Sequence, residues 1–243
     1  LMAGCLCASA GVMLAAIVPG LSVLYLSAIL IGTGFMAIFI GTQHAVGAMS
    51  PPDQRAASYS KLSLGFSVSA FTGPLIAGFL IDHTRHAVAY WFCGAFTLAA
   101  FTLAAGGALK NIPLQTRNHA QTKGGPLVLL KDLELRRIYI VGILLAAAWD
   151  LFTFVTPIRG SQLGFSASTI GAILATFSAA TFAVRLAMPT LTRRYHEWQI
   201  LTGTLTAATL SYVMLPFMQH PISMAMAAAA LGLALGSGQP KVL

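Results

Sequence analysis

Charged residues are scarce in this chain of 243 residues. Asp and Glu together number 6, Lys and Arg number 14, and charged residues make up 8% of the total. An average soluble domain carries roughly 25% charged residues, so this sequence cannot cover the surface of an ordinary soluble globule. Hydrophobic residues make up 57%, which excludes a disordered chain, because disordered chains are poor in large apolar residues. Lipid is the solvent that this composition suits.

Other absences narrow the functional classes. The three cysteines all lie inside apolar runs, so the sequence shows no disulfide framework. No Gly-rich phosphate loop, no His-Glu-x-x-His and no Gly-x-Ser-x-Gly occurs. The sequence therefore indicates no enzyme, no metal site and no cofactor.

Long apolar runs, in contrast, are abundant. A membrane-spanning helix needs about 20 mostly apolar residues, and barrel strands would instead show alternating hydrophobicity, which is absent here. We predict an all-α polytopic membrane helix bundle with about eight transmembrane helices. The predicted spans lie near 2–19, 22–47, 63–81, 87–107, 138–158, 167–188, 199–218 and 221–239.

One sizeable polar stretch divides these spans into two groups of four. It predicts a first half over 1–109, a cytoplasmic linker over 110–137 and a second half over 138–243. The chain begins inside an apolar run and ends directly after a short polar segment, so we also expect it to be part of a longer protein.

The basic residues are distributed unevenly between the two sets of loops. If the first span runs outward, eleven Lys and Arg residues face the cytoplasm and only Arg85 and Arg159 lie outside. The positive-inside rule fixes the orientation accordingly, and this asymmetry accounts for most of the positive charge without a nucleic-acid partner. The cytoplasmic residues are Arg55, Lys61, Lys110, Arg117, Lys123, Lys131, Arg136, Arg137, Arg193, Arg194 and Lys241.

The third span carries small residues at a regular spacing. Gly65, Ser69, Gly73 and Ala77 recur every fourth residue, so they share one face of a helix. Small residues allow a neighbouring backbone to approach closely, and Pro74 bends the helix by removing a backbone hydrogen bond. We expect a tight helix contact with a kink, which Gly73→Leu should disrupt.

This segment resembles a motif of a known family. Gly73-Pro74-x-x-Ala77-Gly78, with small residues four and eight positions earlier, looks like the antiporter motif in the fifth helix of the major facilitator superfamily. The resemblance covers the chain as helices three to ten of a twelve-helix fold. Other similar segments are Gly32-x-Gly34 for the fourth helix, Pro51 to Ala57 for the following loop, and Gly232-x-x-x-Gly236 for the tenth helix.

Two positions depart from the family pattern. Proton-coupled drug exporters of the family carry an arginine four residues before the Gly-x-Gly pair, and this chain has Ala28 there. The loop after helix eight often reads Asp-Arg-x-Gly-Arg, whereas Arg193 and Arg194 here lack the neighbouring aspartate and glycine. Together with Arg55, these two arginines are the candidate residues of the cytoplasmic loops.

Asp150 is the most informative single residue. It follows Arg137 by thirteen positions, which is about 20 Å along a helix, so it lies past the middle of the membrane. A carboxylate at the centre of a spanning helix costs about 2.5–3.5 kcal/mol on insertion scales. Asp150 is therefore a protonatable or cation-binding group facing a cavity, a structural residue paired with another helix, or a residue nearer the outer surface than this count indicates.

The resemblance implies a secondary active transporter that moves a small solute by alternating access. The family lines its cavity with helices one, four, seven and ten, which here makes Asp150, Thr33 and Gln239 the candidate substrate or proton-coupling residues. The resemblance implies that protons or another ion drive transport, with a drug or metabolite as a candidate exported solute, across a plasma or bacterial inner membrane. A uniporter, a symporter, a channel and a non-transporting membrane sensor remain alternatives.

The charge asymmetry predicts the topology directly. Lys123 should lie on the cytoplasmic side, and His83 and Gly160 should lie outside. Cysteine substitutions at these positions, labelled from one side of the membrane, test this orientation. Labelling at position 123 by an impermeant reagent added outside would contradict it.

Overall fold

The structure is a computed structural model that describes residues 1–18, 20–108, 133–194 and 196–238. Every regular element in that part of the chain is helical, which confirms the predicted all-α class. A π-helical turn (Ala104–Ala108) follows the fourth helix, and a 3₁₀ turn (Leu215–Phe217) follows the seventh. The helices are α1 (Met2–Ile17), α2 (Leu21–Met49), α3 (Arg55–His83), α4 (His86–Leu103), α5 (Leu133–Gln162), α6 (Ala167–Arg194), α7 (Glu197–Met214) and α8 (Pro221–Gly238).

The helices correspond in order to the eight predicted spans, and several are longer than predicted. α2 and α3 each contain 29 residues, which is about 43 Å at 1.5 Å per residue and exceeds a hydrocarbon core of about 30 Å. α5 begins at Leu133, inside the predicted linker, and the rest of that linker up to residue 132 lies outside the described residues.

Within the described residues, five segments are long and apolar enough to cross a membrane, and two shorter helices are also apolar. The five are Leu21–Met49, Ala57–His83, His86–Gly106, Gly142–Gln162 and Ala167–Ala187. Their length and composition confirm a polytopic membrane protein.

The described helices form two compact units. The first contains α1, α2, α4 and both ends of α3, and the second contains Ser67–Phe79 of α3 together with α5 to α8. α3 therefore contributes residues to both compact units. The predicted division at the linker stays a prediction.

In the first unit, α1 packs between α2 and α4 through small side chains. A Cβ atom added to Gly34 of α2 would lie 2.6 Å from the backbone nitrogen of Ala8, so only glycine permits this approach. On the α4 side, the Ser9 hydroxyl donates a hydrogen bond of 2.9 Å to the hydroxyl of Thr97. Close backbone contact and interhelical hydrogen bonds hold helices together where lipid removes the hydrophobic driving force.

In the second unit, the tightest helix pair is α6 with α8. A Cβ on Gly232 would clash with the carbonyl oxygen of Phe177, and a Cβ on Gly236 would lie 2.5 Å from a methyl group of Val184. The buried Thr181 hydroxyl contacts the Gly232 carbonyl oxygen at 3.2 Å. The small residues predicted in the eighth span are therefore contact points with α6.

The core of the second unit is aromatic where α5 meets α6. The Phe152 and Phe177 rings stack with centroids 4.4 Å apart, and Trp149 meets Phe177 edge to face at 4.7 Å. Phe152 and Phe177 are fully buried, and rings in such arrangements contribute about 0.5–1.5 kcal/mol beyond the area that they bury. Polar contacts add to this core, because the Tyr212 hydroxyl of α7 donates to the carbonyl oxygen of Ala148.

The α6–α8 contact yields a stability prediction. Gly232→Leu should destabilise the second unit by about 1–3 kcal/mol, because the added side chain has no space against α6. Gly203→Leu in α7 is the matched control, since nothing lies within 4 Å of a Cβ added there. Thermal unfolding of the purified variants in detergent measures the difference, and equal midpoints would contradict the assigned contact.

Candidate functional site

Asp150 lies near the middle of an apolar membrane segment. Within the span Gly142–Gln162, it is about 12 Å from the first residue and about 18 Å from the last, at 1.5 Å per residue. Its side chain is exposed, and it has no hydrogen-bond or ion-pair partner within the part of the chain that the structure describes. An ionisable residue at this depth is expensive unless water, a ligand or another helix meets it.

The buried face of α5 points away from Asp150. Leu145, Trp149, Phe152 and Thr156 follow one another at three- or four-residue intervals and are buried or partly buried in the second unit. At about 100° per residue, Asp150 lies about 120° around the helix from the centre of this stripe. Its exposure therefore follows from its position on the helix.

Asp150 shares the exposed side of α5 with several small and polar residues. Ala146, Thr153 and Pro157 lie within about 60° of it on the helical wheel, and the Thr153 hydroxyl lies 3.0 Å from the backbone carbonyl oxygen of Asp150. Large apolar residues share this side, because Ile143 (66% exposed) and Phe154 (68%) lie within about 40° of Asp150 on the same wheel. Asp150 is thus a carboxyl group on an exposed and largely apolar side of α5, away from the packed face of that helix.

Of the other two predicted cavity residues, the structure describes only Thr33. Thr33 is exposed on α2 in the first unit, and its hydroxyl bonds to the carbonyl oxygen of Ile29 at 2.7 Å. The surface around it is apolar, with exposed Met36 and Ile40 one and two turns along the helix. Gln239 lies outside the described residues.

The small residues of α3 are not all in contact with a neighbour. A Cβ on Gly65 or Gly73 would meet nothing within 4 Å in the described structure. In contrast, a Cβ on Gly78 would clash with the Ala167 carbonyl oxygen, and a Cβ on Gly171 of α6 would clash with the Pro74 carbonyl oxygen. We call this contact between Ser67–Phe79 and α6 the α3–α6 seam.

The seam therefore uses a different face from the one that the four-residue spacing indicates. Ala70, Pro74 and Gly78 face α6, about 140° around the helix from the centre of the face that carries Gly65, Ser69 and Gly73. The spacing identifies small residues, but it does not show on which side a partner helix lies. Gly171 of α6 was not predicted, because a glycine in an apolar run has no distinguishing sequence signal.

The arginines predicted to lie in cytoplasmic loops are described only in part. The Arg55 side chain contacts the Ser50 carbonyl oxygen at 3.5 Å, while the side chains of Arg193 and Arg194 lie outside the described residues. Arg185, closer to the membrane interior on α6, is partly buried, and its guanidinium lies 3.4 Å from the Ser67 hydroxyl in the seam. Among the described residues, no group of three His, Cys, Asp or Glu is placed to hold a metal ion.

Comparison with known proteins identifies the family. The chain matches the family model of the Major Facilitator Superfamily over residues 1–242, and it therefore belongs to this superfamily of membrane transporters. The match confirms the resemblance, the polytopic helix bundle and the multi-pass membrane location. No curated protein sequence matches the chain.

The seam geometry yields a second prediction. Gly171→Leu should weaken the α3–α6 seam, because its side chain would displace the backbone of α3 at Pro74, at a cost of about 1–3 kcal/mol. Gly73→Leu, one residue before the proline, should be milder because nothing lies close to it. Folding yield and thermal unfolding of the two variants test this order, and a larger loss in Gly73→Leu would contradict it.

Proposed function

We propose that this transporter is a secondary active carrier that moves a small solute by alternating access, with Asp150 coupling transport to an ion gradient. The observation that carries the proposal is the placement of Asp150. A carboxyl group lies in the middle of an apolar span, on the exposed side of its helix and away from the packed face. Such a residue is a functional candidate by default in a membrane protein.

The energetics favour a carboxyl group that changes protonation. Desolvation in the membrane favours the neutral acid, whereas water or a cation entering from one side favours the carboxylate. A group that meets water alternately from the two sides would therefore bind a proton on one side and release it on the other. Ala28 stands where related proton-coupled exporters have an arginine, so Asp150 would perform this role without that partner.

The shape of the helices supports a moving carrier over a static channel. Pro74 lies inside α3 and Pro157 lies inside α5, and proline-interrupted helices are typical of transporters that rearrange around a central site. Saturable counterflow in proteoliposomes would distinguish a carrier from a channel, because only a carrier exchanges solute on one reorienting site.

For the substrate, the exposed surfaces favour lipophilic compounds. Thr33 is surrounded on α2 by exposed Ile29, Met36 and Ile40, and its hydroxyl is bonded to its own helix. Methionine side chains adapt to ligands of irregular shape. We therefore propose that the carrier exports a small, largely apolar compound in exchange for the coupling ion, with uniport and symport of an organic solute as the other outcomes of a flux assay.

The coupling role of Asp150 is directly testable. Asp150→Asn retains the shape and the hydrogen-bonding capacity but cannot titrate, so accumulation of solute driven by a pH gradient should be abolished. Downhill exchange of the same solute should survive in part, because the cavity is retained. The measurement compares gradient-driven flux with downhill flux in proteoliposomes, using a solute first identified by counterflow.

Two control variants and a measurement of folded protein make the result decisive. Asp150→Glu keeps a titratable group and should keep some gradient-driven transport. Thr153→Val lies about one turn from Asp150 on the same exposed side of α5 and should leave coupling intact, since the Thr153 hydroxyl contacts only backbone carbonyls of its own helix. If Asp150 were a structural residue, Asp150→Asn would instead lower the amount of folded protein and both fluxes together. Normal gradient-driven transport by Asp150→Asn would eliminate the coupling role.

A further inference from the structure

Pro74 leaves one carbonyl of α3 without its usual partner. Proline has no backbone N–H, so the carbonyl oxygen four residues earlier, that of Ala70, receives no intrahelical hydrogen bond. In a membrane-spanning segment each unsatisfied backbone group costs several kcal/mol unless a neighbouring helix, a side chain or water supplies a donor. The Ala70 carbonyl therefore needs a donor from outside α3.

Ser178 of α6 supplies that donor. Its hydroxyl lies 2.9 Å from the Ala70 carbonyl oxygen, and the residue is 7% exposed. A nearby hydroxyl on the same helix behaves differently, because Thr176 donates only to its own Ala172 carbonyl at 2.8 Å. The hydrogen bond lost at the proline is thus replaced across the seam by one specific side chain.

This bond lies near the middle of the α3–α6 seam. Towards the cytoplasmic end, Arg185 contacts Ser67, and towards the other end Gly171 faces the Pro74 carbonyl and Gly78 faces Ala167. The two segments run antiparallel, since positions ascend along α3 as they descend along α6. The glycines bring the backbones close enough for a short serine side chain to reach the opposite helix.

Ser178 also has a second acceptor within reach on its own helix. The Leu174 carbonyl oxygen lies 3.2 Å from the same hydroxyl, and a hydroxyl carries a single proton. If the seam separates, the Ser178 hydroxyl turns back to Leu174 and keeps a hydrogen bond. The Ala70 carbonyl loses its donor at that moment, and only water can replace it.

We propose that Ser178 is a gating residue, a releasable latch that stabilises the closed seam by donating to the carbonyl that Pro74 leaves free. The latch closes when Ala70 is shielded from water and opens when water reaches the kink of α3. The inference deepens the proposed function, because it rests on a carrier whose helices separate and rejoin during the cycle. The proposal links Pro74 and Ser178 functionally: each of them influences closure of the seam only when the other is present.

A double-mutant cycle tests this dependence. Pro74→Ala restores a backbone N–H at position 74, so the Ala70 carbonyl regains an intrahelical partner and no longer needs Ser178. Ser178→Ala should therefore matter in the native background and matter little in the Pro74→Ala background. Non-additivity of this kind is the signature of residues that act through one interaction.

Opening of the seam can be followed without knowing the substrate. The probe is a cysteine introduced by Ala175→Cys, in a chain whose own three cysteines are replaced by alanine. Ala175 is 2% exposed and lies on the helical face between Gly171 and Ser178, so N-ethylmaleimide reaches it when the seam opens. The labelling rate is measured on membranes that contain the protein, with Thr176→Ala as the matched control.

We expect Ser178→Ala to raise the labelling rate about fivefold, which is the shift in an equilibrium that the loss of one net hydrogen bond produces. In the Pro74→Ala background the same substitution should change the rate by less than about twofold. The thermal unfolding midpoint should follow the same pattern, falling by about 2–4 °C only when Pro74 is present. Thr176→Ala should leave the labelling rate unchanged.

Two outcomes would overturn the latch. An equal effect of Ser178→Ala in both backgrounds would show that the serine acts through packing alone, and no effect in either would show that the hydrogen bond does not control the seam. These readouts are independent of ion coupling. If Asp150→Asn keeps gradient-driven transport but the Ser178/Pro74 cycle is non-additive, the seam is gated in a carrier that is not driven through Asp150. If Asp150→Asn loses gradient-driven transport but the cycle is additive, Asp150 couples transport and Ser178 is not a latch.

Discussion

The need to satisfy polar groups inside lipid shapes this structure. Apolar side chains gain little by leaving lipid for one another, so the helices associate through close backbone contact and through hydrogen bonds between helices. Both are visible at the same places. Glycines at positions 34, 171 and 232 bring backbones together, and the hydroxyls of Ser9, Ser178 and Thr181 reach acceptors on the adjoining helix. A change at such a position removes a contact that no hydrophobic force would restore.

The need to satisfy polar groups in lipid also explains how the closely packed α3–α6 seam can open and close. A helix kinked by proline has a carbonyl that must find an external donor, and Ser178 provides one from α6. Because this donor has an alternative acceptor in its own helix at Leu174, breaking the contact leaves only one group, the Ala70 carbonyl, to be hydrated. The cost of opening is therefore concentrated at one atom. A transporter that must open and close many times benefits from such a localised cost.

Asp150 is the counterpart of this arrangement on α5. The packed face of that helix carries Trp149 and Phe152, which fix its position against α6 through aromatic contacts. Asp150 lies on the exposed side of the helix, outside that packing. One helix thus combines a face that anchors it with a different side that carries the ionisable group, so that a change in protonation does not have to disturb the aromatic core.

The sequence by itself determined the class, the order of the described helices, and the family. Long apolar runs and scarce charge leave helices in a membrane as the compatible fold, and hydrophobic length depends only on neighbouring residues in the chain. The depth of Asp150 could also be read from its position in such a run. Tertiary structure alone decided which face of α3 meets α6, because Gly73 and Gly78 are equally small and only the position of the partner helix separates them. It also decided the partner of the Ala70 carbonyl: Pro74 predicts that a donor is needed, but Ser178 lies more than a hundred positions away along the chain, and only folding brings the two together.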